Sequence, residues 1–582
     1  MVSARIRRRA VALTALPLLV AGLATAPRAD AAVGDNVNVT GNHAYTRVDG
    51  GTDPVIARCG SDNRPQNETS LAVDPLNGQQ LAAGANDYCT TPVAGDAWEG
   101  LYTSSDGGHS WTLSLIPGYP GDTSPQGLSS PLHGLVGATG DPWDAFDRHG
   151  RLYAMGNAFN RAHPQNASVW VASYQRDATA PIGYQYRRTV IVASGTAGNG
   201  QFNDKVALTV DNQSARYDGT VYAAWSQFHG SGNNEIDVAV SHDHGATFSK
   251  PVKVSAGSGD NQFPDLAVAA DGTAYLVWRE FAGRNNKDDA IAYSTSGDGG
   301  ATWAPARPLT TFVPYDKSDA PSTAAAAAAA RAAGGPDYVD EEDAGGSARD
   351  CGDPPSACQS GYTFYRDDSQ PRIAADANGV YVVYNELINP HDTNTTYAPG
   401  GVSQVHLWQR GTGSWNDRGL VDPAAGHQTF PTVAADGSSI FVGWVDSRVD
   451  PCFSQERPAG NCADGSAPVG GSLTSWATRL PDGGGSGQSG QVATAKWNPN
   501  WEQFSGRTVP FYGDYDTVAS GGGSTYFDWT DNRDVAGYTG PNTEGNDVLG
   551  DPHVGGECSV YASTCFDLTR GLDQNEYVAQ LG

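Results

Sequence analysis

The sequence predicts an all-β fold: a β-propeller of four-stranded antiparallel blades with long loops on one face, seven blades favoured over six. Three observations predict it. The first is composition. Of 582 residues, 72 are Gly, 14 are Trp and 2 are Met, and charged residues make up only 17%. Short strands and tight turns have this profile; helical bundles and parallel nucleotide-binding sheets do not. The second is a strand–turn–strand unit that returns along the chain. The third is a Ser-x-Asp turn that occurs three times in phase with it.

The chain opens on an expected export leader, residues 1–31. Arg5, Arg7, Arg8 and Arg9 form a basic start, Ala10 to Ala24 is apolar, and Ala29-Asp30-Ala31 offers small residues for cleavage. No later stretch has about 18 consecutive apolar residues, so a secreted, extracellular chain without an anchor is expected. Residues 32–582 are read as a single propeller domain. They hold 31 basic against 63 acidic residues. Such a charge repels phosphate backbones and anionic lipid heads, which argues against nucleic-acid and membrane partners.

The repeat is clearest in three places. Phe263-Pro264-Asp265 leads through Asp271-Gly272 to Trp278. Gln370-Pro371-Arg372 leads through Asp376 to Tyr384. Phe430-Pro431-Thr432 leads through Asp436-Gly437 to Trp444. Each alternates with period two around a hairpin turn. Weaker copies run from Thr69 to Ala85, Trp143 to Met155, Val206 to Trp225 and Asp516 to Trp529. One hairpin cannot bury its own faces, but seven packed radially can bury one another's. Residues 306–366 interrupt the pattern. They carry Ala324–Ala330 and Asp340-Glu341-Glu342-Asp343, and read as a low-complexity, partly disordered insertion.

After a hairpin and a third strand come Ser104-x-Asp106-x-Gly108-x-x-Trp111, Ser241-x-Asp243-x-Gly245-x-x-Phe248 and Ser296-x-Asp298-x-Gly300-x-x-Trp303. Ser and Asp side chains can bond backbone N–H groups across a tight turn, Gly permits positive φ, and the aromatic ring can bury. These residues are therefore read as structural. The pattern resembles the Asp-box (BNR) repeat of the sialidase-like, or neuraminidase, propellers.

In a four-stranded blade, the strand 2–3 and blade-to-blade connections share one face, the top, and the strand 3–4 turn lies on the other. Four Cys pairs map to top loops: Cys59 with Cys89, Cys351 with Cys358, Cys452 with Cys462, and Cys558 with Cys565. All four are expected as disulfides of an exported chain. No zinc-ligand spacing occurs, so neither metal nor cofactor is expected. The starts of first strands bring Glu68, Asp141, Asp204-Lys205, Asp265, Arg372 and Tyr512-Gly513-Asp514-Tyr515 to the top. The ends of second strands bring Asp87, Arg279-Glu280, Glu386, Asp446-x-Arg448 and Asp531-x-Arg533. Arginines near one axis can grip a carboxylate bidentately. The competing reading of the repeated Trp-x-Asp-x-Arg endings is scaffold.

The sialidase resemblance implies a metal-independent, exo-acting glycoside hydrolase for a terminal acidic sugar. It implies Asp96, or less well Asp87, as acid, Glu386 with Tyr512 or Tyr515 as the nucleophile pair, and substrate-binding arginines among Arg64, Arg279, Arg372, Arg448 and Arg533. The partner is then a glycan or glycoconjugate, met by a monomer. Two alternatives stay open: a non-catalytic propeller binding glycans or proteins through its top face, and a polysaccharide lyase on the same fold.

Overall fold

In a computed structural model, seven four-stranded antiparallel sheets form a closed ring. The structure describes residues 33–41, 44–60, 64–94, 96–135, 137–160, 166–195, 201–229, 234–257, 259–282, 288–315, 365–391, 400–411, 413–463, 468, 470–499, 511–534 and 573–582. The expected leader and most of the expected insertion lie outside these residues.

The first strands of blades 1 to 7 are Gln66–Val73, Ala138–Phe146, Gln201–Val210, Asn261–Val268, Arg372–Ala375, Gln428–Ala435 and Thr517–Gly521. Each packs against the first strand of the next blade, and the seventh packs against the first, so these seven strands surround the axis. Apolar clusters lie between blades. Blades 2 and 3 share Tyr153, Val171, Leu208 and Trp225; blades 5 and 6 share Val383, Leu407, Val442 and Trp444. Burial of an aromatic side chain stabilises by about 2–3 kcal/mol, and here that gain exists only between neighbours. Trp225, Trp278, Trp444 and Trp529 repeat near the end of the second strand and are fully buried.

The ring closes with the two ends of the described chain. Blade 7 takes Thr517–Gly521, Ser524–Asp531 and Asn575–Leu581 from one end, and Val37–Asn38 from the other. Val37 pairs with Val578 and Asn38 with Tyr577. The sequence reading did not include this strand; two residues carry no periodicity.

One boundary shifts from expectation. Arg307–Phe312 is the fourth strand of blade 4, so the insertion after that blade starts later than residue 306. Thr474–Pro481 and Gln488–Gln491 complete blade 6.

Of the four expected disulfides, two are found among the described residues. Cys59 bonds to Cys89 and Cys452 to Cys462, both in top loops. The other two expected pairs, Cys351 with Cys358 and Cys558 with Cys565, lie outside the described residues, so those pairings stay expectations of the sequence. The Ser-x-Asp turns lie on the opposite face, between third and fourth strands. In the first, Ser104 Oγ donates to Asp106 Oδ1 at 2.8 Å and accepts the Gly108 N–H at 3.0 Å. Asp106 also accepts the Ser110 N–H at 2.9 Å, and Asp243 and Asp298 repeat the geometry.

Deleting residues 33–41 should leave Asn575–Leu581 as a bare edge and cost about 3 kcal/mol or more, at about 1 kcal/mol for each lost backbone hydrogen bond. Urea denaturation of the truncated chain checks this; an unchanged midpoint would mean that the closing strand contributes nothing.

Candidate functional site

The axial end of the top face is built by a repeated backbone irregularity. Five first strands carry a bulge, falling between Asn67 and Ser70, Gly140 and Trp143, Asp204 and Ala207, Gln262 and Asp265, and Thr429 and Thr432. Within each bulge one residue is left-handed: Glu68 at φ 59°, Asp141 at 60°, Lys205 at 52°, Phe263 at 58° and Phe430 at 50°. A non-glycine residue there costs about 1–3 kcal/mol and re-aims the side chain. In blade 7, Gly513, at φ 100°, packs so closely on the Glu68 backbone that a Cβ would lie 2.6 Å from its nitrogen.

These residues meet one another. Asp141 Oδ2 accepts the Lys205 N–H at 2.8 Å, and Lys205 Nζ reaches Asp514 Oδ2 at 2.7 Å. Arg366 pairs with the same Asp514 carboxylate, and Gln370 donates to the Asp514 carbonyl at 2.5 Å. Lys205 also lies 5.3 Å from the Phe263 ring centre, and Phe430 packs edge-on against Tyr512. Asn86 donates to Glu68 at 2.5 Å and accepts the Asp141 N–H at 3.1 Å. All seven blades or their leading loops thus contribute to one cluster.

Alongside it lies an aromatic–cationic layer. Arg372 stacks 4.4 Å from the Trp143 ring centre and 4.9 Å from that of Tyr515. The Tyr515 hydroxyl donates to the Pro142 carbonyl at 3.1 Å. Burial, then the nearby Glu68, raises the Asp141 carboxyl, against the pull of Lys205. Burial, then Asp144, Asp141 and Glu68, holds Glu99 well above the carboxylate range. Asp265 is pushed up to about 6 by burial, opposed by Arg372. Burial takes Asp144 and Asp516 to about 8. Acids retaining protons beside others near fixed cations are the raw material of general acid–base chemistry.

Of the residues expected from sequence, Arg372 and Tyr515 stand beside this cluster, and Tyr512 packs on its rim against Phe430 and Tyr365. The other arginines are held by acids within or next to their own blades. Arg64 pairs with Asp87 at 3.2 Å and Arg279 with Asp289 at 2.6 Å. Arg448 bonds Asp446 and Asp422, and Arg533 bonds Asp531. Asp446 and Asp531 also accept the indole N–H of Trp444 and Trp529. Asp96 is buried in a top loop, its carboxylate accepting the Ala97 N–H at 2.9 Å. Glu386 is bound to His406 at 2.6 Å, whose other ring nitrogen meets Asp417 at 2.6 Å. Arg366, Gln370, Phe263 and Phe430 were not singled out as site residues. A Phe-Pro pair at two strand starts was the one available signal. Among the described residues, no three His, Cys, Asp or Glu side chains are placed to hold a metal ion, and no helix is long and apolar enough to cross a membrane.

No family model matches this sequence, and no curated protein matches it. Solved structures do. Trypanosoma rangeli sialidase in complex with the inhibitor DANA is 10% identical over 66% of this chain and 53% of its own, with a TM-score of 0.36. The Hadza microbial sialidase Hz136 is 10% identical over 77% and 70%, at 0.38. Penicillium chrysogenum alpha-L-arabinanase complexed with arabinobiose is 13% identical over 71% and 94%, at 0.35. This chain matches only about half the length of the Trypanosoma rangeli enzyme.

Lys205→Met should cost about 2–3 kcal/mol, because it strips one of two cations, Lys205 and Arg366, from the buried Asp514. Lys253→Met, at a pair whose lysine is 41% exposed, should cost about 1 kcal/mol or less. Equal urea midpoints for the two variants would contradict the axial pairing.

Proposed function

We propose that this chain is a glycoside hydrolase on a propeller scaffold, acting at the axial cluster on a glycan that ends in an acidic sugar. The observation that carries the reading is the convergence of Glu68, Asp141, Lys205, Arg366 and Asp514 at one end of the axis, with Arg372 and Tyr515 beside them. Two carboxyl groups in unlike surroundings divide the work of glycosidic cleavage. Asp141, whose carboxyl burial and Glu68 raise above its ordinary value, protonates the leaving oxygen. Glu68 takes a proton from the attacking group, either water or the Tyr515 hydroxyl. Lys205, Arg366 and Arg372 attract the substrate's carboxylate once Asp514 gives way. The expected leader and the two described disulfides fit an exported, extracellular enzyme.

A second reading has its own observation. Glu68, Asp141 and Lys205 are only 3%, 9% and 7% exposed, and both Lys205 and Arg366 place their charge on Asp514. A neutralised plug of this kind would hold the blades in register while the top loops bind glycans or proteins without cleaving them.

Sugar release from a panel of capped and uncapped glycosides separates the two. Asp141→Asn and Glu68→Gln should each lower kcat/KM by about 10²–10⁴-fold, while Asp96→Asn and Glu386→Gln stay near the parent value. Full activity in both axial variants would remove the site assignment. Glycan binding with no release from any member of the panel would establish the second reading.

A further inference from the structure

We propose that the seam between blades 7 and 1 is a proton-operated latch, in which Asp528 and Glu576 share a proton and its loss loosens the chain segment that closes the ring. Asp528 and Glu576 stand on neighbouring strands of blade 7. Register pairs Asp528 with Val578 and Thr530 with Glu576, so all four side chains lie on one face. Tyr526 and Val578 on that face pack into the core of blade 1, and the Tyr526 hydroxyl donates to the Gly78 carbonyl at 3.0 Å. Both carboxyls are fully buried and face each other. No side-chain N–H or O–H of another described residue reaches their four oxygens.

Two neighbouring carboxyls without a counter-charge cannot both ionise in a buried seam. The surroundings supply more acid. Asp516 of blade 7 bears on Asp528, Asp144 of blade 2 bears on both, and Asp87 of blade 1 bears on Glu576. Tyr102 of blade 1 also faces Glu576. In the closing segment the titratable side chain is Asp35, which is exposed. Burial, reinforced by these neighbours, holds both carboxyls well above their ordinary values.

Glu576 is also where the closing segment seats. Its N–H donates to Thr40 Oγ1 at 3.0 Å, and its carbonyl accepts the Val39 N–H at 2.9 Å. The next residues pair with Val37 and Asn38. Ionising the pair therefore acts on the strand that joins the two ends of the ring. Because the folded values are raised, the latch contributes its full stability below the unfolded carboxyl range. That contribution is lost as pH climbs through the folded values.

Amide exchange of the full chain from pH 5 to 9, corrected for intrinsic rates, tests this. Protection of the Val39 and Glu576 amides should fall with rising pH, by up to about tenfold per pH unit for each proton released. Glu576→Gln and Asp528→Asn should each flatten that slope, and either alone suffices if the other fails to fold. Asp237→Asn, at a buried acid in blade 3 pushed up to about 6, should keep the parent slope. Protection that stays constant across the range, or parent slopes in both seam variants, would overturn the latch. So would calcium chloride restoring protection at pH 9 where EDTA does not, since a bridging cation rather than a proton would then join the pair.

Discussion

Everything in this molecule depends on the burial of each blade's two faces by its neighbours. A four-stranded sheet of this length has apolar side chains on both sides and no core of its own. Here the core is divided among the inter-blade seams, each filled by aliphatic and aromatic side chains from two sheets. No blade is stable alone, so the ring must close, and the short strand Val37–Asn38 completes that closure with backbone hydrogen bonds.

The same constraint separates scaffold from candidate chemistry. Closing a ring of antiparallel blades sends the strand 3–4 turns to one face and the long connections to the other. Ser-x-Asp turns then stabilise the lower face by local hydrogen bonds, while disulfides staple loops on the upper one. At the axis, bulges with left-handed residues aim charged and aromatic side chains at one another. The strain sits where the molecule concentrates its charge, and neighbouring strands over-determine it.

Features set by local chemistry were legible in the sequence. The seven hairpin units and the Ser-x-Asp turns were readable because period-two patterning and turn chemistry act over a few residues. Glu68, Asp141, Lys205, Arg372, Asp514 and Tyr515 could be placed on the top face from strand order alone. What sequence could not show was which charges meet. Arg448 and Arg533 looked able to converge, yet each has an acid two residues away that captures it first. Arg366 was hidden at the margin of a low-complexity stretch, and the bulges arise from packing between strands distant in sequence. The Asp528–Glu576 contact is likewise a matter of register between strands far apart along the chain.

An experimental structure of the chain soaked with an acidic monosaccharide product tests the functional account most directly. The account predicts sugar density against Glu68, Asp141 and Lys205, with the sugar carboxylate replacing Asp514 as the partner of Lys205 and Arg366. Density confined to the outer loops, with both of those pairs to Asp514 intact, would contradict it.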